Sequence, residues 1–337
     1  MNRKLNSVLA LALAGSLALL SGCGQAASSS ESASSAAASA AGDTQLNLYT
    51  WEGMFPQEVL DGFTAETGIQ INYSSFDTDE TMLAKLEAAK GGDYDLVIAD
   101  DYIVETAISE GLVAKLDKTK LSNLGNVNPI YQSQFFDPED AYTVPYGAGV
   151  QTIVYDPTLV EKPITCYADL WDEWSMTATR VQAKAKLLEL APNIRLIKDA
   201  NTQDDLLSGE AGAAVMYTSQ VTAACLANPD LQVVYPTEGV GFGIMAQFIP
   251  SNAPHSDAAH AFIDYILRPE VAKSCFEWMG YYCTNKAADS LIDPAYQSFL
   301  TLPEDFDGKT EMIQNVSAET EEIHAQMWTE FKAACGQ

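Results

Sequence analysis

Residues 46–117 read LNLYTWEGMFPQEVLDGFTAETGIQINYSSFDTDETMLAKLEAAKGGDYDLVIADDYIVETAISEGLVAKLD, an unbroken alternation of strand and helix signals. Apolar and polar residues alternate over 46–50, as in a strand. Pro56 stands where a helix begins, Val59, Leu60 and Phe63 follow at helical spacing, and Gly68 ends the run. A second strand is predicted over 69–73 and a second helix over 78–90, with Met82, Leu83 and Leu86 on one face and Gly91-Gly92 past its end. The nearly continuous apolar run DLVIA at 95–99 suits a parallel strand covered on both faces.

Such an alternation builds an open α/β sheet, in which ligands bind beyond the carboxyl ends of the strands. Two loops fall at such ends, Trp51-Glu52-Gly53-Met54 and Asp100-Asp101-Tyr102, and each sets an aromatic ring beside carboxylates. Facing one cleft, they suit a cation, because a ring face and a carboxylate both attract positive charge.

The 337 residues suffice for two domains with their own cores. With 46 acidic against 18 basic residues the net charge is −28, and no basic face is visible for nucleic acid. Solubility accounts for this acidity, although the same field favours a cationic ligand. Arg3 and Lys4 precede an apolar run over 8–20, which is too short to span a membrane and reads as a targeting segment (1–22). The run ends in Leu-Ser-Gly-Cys at 20–23, which resembles a bacterial lipoprotein lipobox; this implies cleavage before Cys23 and a diacylglycerol on its sulfur. The bland alternative is a small-residue cleavage site with an incidental cysteine. Residues 25–43 are dominated by Ser and Ala without periodicity, a leash that can bury no core.

Five further cysteines, at 166, 225, 275, 283 and 335, form no CxxC pair, and with His only at 255, 260 and 324 no zinc site is expected. Cys275 and Cys283 are candidates for a disulfide or for two buried thiols. His255 and His260 read as surface or capping residues of a helix predicted over 254–267. Further helices are expected over 181–190, from Arg268-Pro269-Glu270 to Gly280, and over 318–334; strands are expected over 192–197, 213–217, 231–235 and 239–250. No nucleophile elbow, phosphate-binding loop, HExxH or dinucleotide fingerprint is present, so a binding protein is expected rather than an enzyme.

Several segments together carry a more specific likeness: LYTW, FTAETGI, ETMLAKLEA, YDLVIADDYIV and EGLVAKLD, then VPYGAGVQTIVYD, ADLW, LRPEVAK and GYYCTNKAA. The chain after Asp43 resembles the spermidine/putrescine-binding proteins of ABC importers. The resemblance implies an α/β, two-lobed periplasmic-binding-protein-like type II fold with a hinge of two crossover strands. One lobe would hold residues 44–150 and 244–289, and the other 151–243 and 290–337. It also implies a monomer in the cell envelope that carries a polyamine to an ABC permease, tethered to the membrane through lipid on Cys23, with no cofactor and no metal. Trp51, Tyr102, Tyr217 and Tyr281 would form an aromatic box, Glu52, Asp100 and Asp101 its anionic ends, and Gln314 would match a glutamine at the cleft. A structural role for Tyr217 is the competing reading. Gly147 and Gly149 allow bending or close approach where the chain crosses between lobes, or an ordinary bulge.

Two departures stand out. Relatives carry about one further βα unit, roughly 30 residues, near position 175. They also place a Trp and an Asp where this chain has Gly243 and Met245. The same fold binding a different small cation or another solute, or a deleted variant that no longer transports, are therefore the alternative readings.

Overall fold

The computed structural model describes residues 42–160, 162–170, 180–198, 200–301, 310–312 and 316–337. Strand β1 (Gln45–Thr50) lies in parallel between β2 (Gln70–Ser75) and β3 (Leu96–Asp100), with α1 (Gln57–Thr67) and α2 (Asp79–Ala89) as the crossovers. Local chemistry sets their ends. Gly68 closes α1 at φ 76°, and the Thr78 hydroxyl accepts the Thr81 N–H at the start of α2. Helix α3 (Asp101–Ser109) begins directly at the end of β3, so the Asp100-Asp101-Tyr102 segment is a strand–helix junction and not a loop.

The 13-residue strand β4 (Thr143–Tyr155) joins two sheets. Its first part, to Val150, pairs antiparallel with β7 (Val240–Phe248), which in turn pairs with β3. From Gln151 onward it pairs instead with β5 (Ala213–Tyr217) and β6 (Gln232–Val234). The principal order is β2-β1-β3-β7-β4-β5, with β6 on β4 and the short β8 (Thr310–Met312) on β7. The register shifts between Pro145 and Gly147, so the glycine-containing stretch carries an irregularity in the crossing strand.

Burial follows the strand alternation. Leu46, Leu48, Leu96 and Ile98 face one core with Phe63 of α1, together with Phe262 of α7 (Ser256–Ile266) and Phe276 of α8 (Pro269–Met279). Tyr49, Val97 and Ala99 face the opposite core with Met82, Leu86, Ile103 and Phe248. The β3 strand is thus covered on both faces, as its apolar run predicts. In the second sheet Val154 and Met216 pack on Val221 and Ala224 of α6 (Thr218–Ala227), while Ile153, Tyr155 and Val234 form a smaller cluster on the other face. Helices α4 (Arg180–Leu190), α5 (Thr202–Leu207), α9 (Pro294–Leu300) and α10 (Ala318–Ala334) complete the elements.

Two sequence expectations change and one open alternative is decided. The strand expected over 192–197 does not form: Pro192 sits in a 3₁₀ turn, Ala191–Asn193, and the chain beyond it is irregular. Ion pairs tie that segment to α5 and to the turn before β5, Lys198 to Asp205 and Arg195 to Glu210. A cavity of about 870 Å³ remains between the segment and β5, walled also by Trp328 and Phe331, and β5 is paired on one side among the described residues. His260 is buried rather than at the surface; its Nε2 accepts the Asp117 N–H at 3.0 Å, which places the proton on Nδ1, 2.7 Å from the Ser256 carbonyl. Cys275 and Cys283 are both buried and unpaired.

Candidate functional site

The carboxyl end of β3 opens onto a cavity of about 90 Å³. Asp100, Asp101 and Tyr102 form one side of it, and Val150, Tyr217 and Tyr281 line it from the crossing strand, the end of β5 and the turn after α8. Five of the residues singled out from sequence therefore meet around one space. Trp51 and Glu52 do not line it: the Trp51 ring leans on Phe76, centroids 4.9 Å apart, and Glu52 is exposed. The loop carrying them is held in place by the Trp278 indole N–H, which donates to the Gly53 carbonyl at 2.7 Å, and by the Tyr73 hydroxyl, which donates to the Trp51 carbonyl. Gln314 and Cys23 lie outside the described residues.

The two neighbouring aspartates are used differently. Asp101 is 1 % exposed, and its two oxygens accept the N–H groups of Tyr102 at 2.8 Å and Ile244 at 2.9 Å, which ties α3 to the β7 crossing strand. Asp100 makes no capping hydrogen bond to α3 with its side chain and borders the cavity.

A third carboxylate, Asp79, joins them. It starts α2, is 5 % exposed, accepts the Asp100 N–H at 3.5 Å, and accepts the Tyr102 hydroxyl at 3.3 Å. In the sequence it is one acid among several at a helix start, where acidic residues are common for dipole reasons alone. Only the stacking of α2 beside α3 brings it to the site.

No lysine, arginine or histidine of the described residues forms an ion pair with this cluster. Burial raises Asp79 to about 6 and Asp101 to about 7, in each case offset in part by the hydrogen bonds they accept. Burial first, and then the charges of Asp79 and Asp101, push Asp100 well above the usual carboxylate range. Burial likewise lifts Tyr281 to about 12, so its hydroxyl stays protonated.

These shifts have a stability consequence. Carboxyls with raised folded-state values bind more protons in the folded protein than in the unfolded chain, so their contribution is full below the ordinary Asp range and is lost as pH rises through about 6 to 7. The empty protein is expected to melt at a higher temperature at about pH 5 than at about pH 8, with the difference reduced in Asp79→Asn. Calorimetric melts of both proteins at the two pH values check this.

Glycines shape the far wall. A β-carbon at Gly149 would lie 2.9 Å from the Thr218 hydroxyl and 2.9 Å from the Tyr281 ring. Gly149→Ala is therefore expected to displace that ring and cost about 1–3 kcal/mol, read as a lowered melting temperature. At Gly243 a β-carbon would meet nothing within 4 Å. Gly243 and Met245 both border the cavity, so the positions at which a Trp and an Asp were expected are cavity wall without ring or charge.

Comparison with known proteins agrees with this architecture. Residues 42–273 match the bacterial extracellular solute-binding protein family. The spermidine/putrescine-binding periplasmic protein of Salmonella typhimurium is 32% identical over 284 residues, covering 76% of this chain and 82% of that protein. Its namesake from Escherichia coli is 31% identical over 318 residues, covering 86% and 91%. Among solved structures, a putative spermidine/putrescine ABC transporter from Listeria monocytogenes superposes with TM-score 0.76 at 26% identity, covering 86% of this chain and 99% of that one. The substrate-binding protein PotD of Streptococcus pneumoniae gives TM-score 0.74 at 25% identity, covering 87% and 100%. The two-lobed fold with β4 and β7 as its crossover strands, the cavity at the end of β3 and these matches lead to one conclusion: the chain belongs to the bacterial extracellular solute-binding protein family, as a solute-binding protein and not an enzyme.

Proposed function

We propose that this protein captures a polyamine, putrescine or spermidine, between its two lobes and delivers it to the permease of an ABC importer. The observation that carries the reading is the convergence of Asp100 with the rings of Tyr102, Tyr217 and Tyr281 on one cavity beside the crossing strands. An ammonium group needs a carboxylate when it leaves water, and the methylenes between amines pack on aromatic faces. Closure of the lobes about β4 and β7 would enclose the ligand and expose one shape to the permease. In this reading residues 44–150 with 244–289 form the first lobe, 151–243 with 290–337 the second, and a monomer is tethered through lipid on Cys23.

A second reading has specific support. Beside Asp100 the neighbouring strand β7 brings Gly243 and Met245 to the wall, Met245 as the register partner of Asp100, and no described residue of β7 there adds a carboxylate. A ligand with a single cationic end suits that asymmetry.

Calorimetric titration of the protein from about residue 28, with putrescine and then spermidine at low salt, tests the two. Saturable one-to-one heat with either supports the polyamine reading. No heat from a protein that melts cooperatively moves the assignment to a singly charged amine. A chain that does not melt cooperatively would point to a shortened second lobe that no longer serves transport.

A further inference from the structure

We propose that Asp79 is a positioning residue for ligand capture: in the empty site it shares a proton with Asp100, and a cationic ligand docking on Asp100 displaces that proton to solvent. The inference rests on the amine-binding reading of this cavity and adds to it a residue outside the wall and a proton stoichiometry.

Asp79 and Asp100 are held together by the backbone. The Asp100 N–H points at Asp79 Oδ1, 3.5 Å away, and the Tyr102 hydroxyl donates to Asp79 Oδ2 at 3.3 Å while also reaching Glu80 Oε1 at 3.1 Å. The groups facing the pair are Glu80 from α2, Asp101 and Tyr102 from α3, and Tyr281 from the turn after α8. All are acidic or neutral. Among the described residues no cation pairs with either carboxyl, so two charges side by side in a dry site would repel without compensation. One proton between them removes that repulsion, as in other carboxyl pairs that share a site.

The exchange is balanced. The ligand enters as a charged ammonium, one carboxyl O–H bond breaks, and its proton leaves to water. The pair carries one negative charge before binding, and pair plus ammonium carry one negative charge afterwards. Asp79 thus lets the site keep a fixed net charge while trading a proton for an amine. Burial raises both carboxyls, which agrees with a proton held near neutral pH in the empty protein.

Putrescine titrations at about pH 7, in buffers of different ionisation enthalpy, count the protons. The result expected is release of close to one proton per putrescine bound, falling toward none in Asp79→Asn. Wild-type binding whose heat does not depend on the buffer overturns the proposal. Infrared difference spectra of the empty protein test it without a ligand. A protonated carboxyl band at about pH 7 that loses intensity in both Asp79→Asn and Asp100→Asn supports the shared proton, and a band absent from the wild type, or unchanged in either variant, overturns it. If that band is present while neither putrescine nor spermidine gives heat, the polyamine reading fails and the shared proton stands.

Discussion

Asp100→Asn is expected to weaken putrescine binding by about 2–4 kcal/mol, roughly 30- to 1000-fold, without lowering the melting temperature of the empty protein. The first effect follows because the side chain keeps its size but no longer supplies the charge that an ammonium in a dry cavity needs. The second follows from its neighbours. Asp100 stands against Asp79 and Asp101, and no described cation compensates them, so in the empty protein its charged form is a burden. A neutral amide removes that repulsion and can still accept hydrogen bonds. Titration and melting of the same variant separate the two effects. Binding unchanged from the wild type would remove Asp100 from the anchoring role, and a large drop in melting temperature would make it a structural residue.

Asp95→Ala is expected to act in the opposite sense, destabilising the protein by about 3 kcal/mol or more through a buried, fully used carboxylate. Asp95 has no exposure. Its Oδ2 accepts the Asn47 N–H at 2.7 Å and the His255 Nδ1–H at 3.0 Å, and its Oδ1 accepts the His255 N–H at 2.7 Å. The residue thereby ties β1, the start of β3 and the entry to α7 into one unit. Alanine leaves two backbone N–H groups and an imidazole without their acceptor in the interior, each at the cost of desolvation. At about 2–4 °C per kcal/mol, the melting temperature should fall by roughly 6–12 °C, and circular dichroism melts read it directly. The ligand site is built from other residues, so the surviving folded fraction should bind putrescine as the wild type does.

Asp95 immediately precedes the five-residue strand β3 and Asp100 ends it, and the sequence around them reads well for the same reason that the strand forms. Residues 96–99 are apolar on both faces because α1 with α7 covers one side and α2 with α3 the other. A strand that ends this abruptly in two acids and a tyrosine must present them at the sheet's carboxyl edge, which made Asp100, Asp101 and Tyr102 legible as a group. Tyr217 could be found in the same way, at the end of a strand, whereas Tyr281, just after the helix-closing Gly280 at φ 73°, was indicated by the resemblance of its turn to the family.

Other features gave no such signal. His260 sits on the apolar side of a helix and looks like any polar residue near a helix start; burial and a role in fixing the Asp117 N–H depend on a loop 143 positions away. The strand expected over 192–197 has the right composition, yet pairing needs a neighbour at the right distance. There the Arg195 and Lys198 ion pairs engage α5 and the turn before β5, and a cavity lies between the chain and β5 in the strand's place. Trp51 has the right residue type and position for the site, but its ring rests on Phe76, because β2 ends beside β1 and offers that face first.

By itself the sequence determined most of the order of strands and helices, the α/β class and the concentration of aromatic and acidic residues at strand ends, while the two lobes followed from the resemblance to a family. Periodicity, helix caps and short connections are local properties, and local sequence carries them. Only the tertiary structure decided which of those acids is spent on the backbone, which borders the cavity and which stands beside it. Asp101 turns to the Ile244 N–H, Asp100 borders the open space, and Asp79 arrives from another helix. Those roles depend on the distance between elements far apart in the chain and on the burial that packing creates.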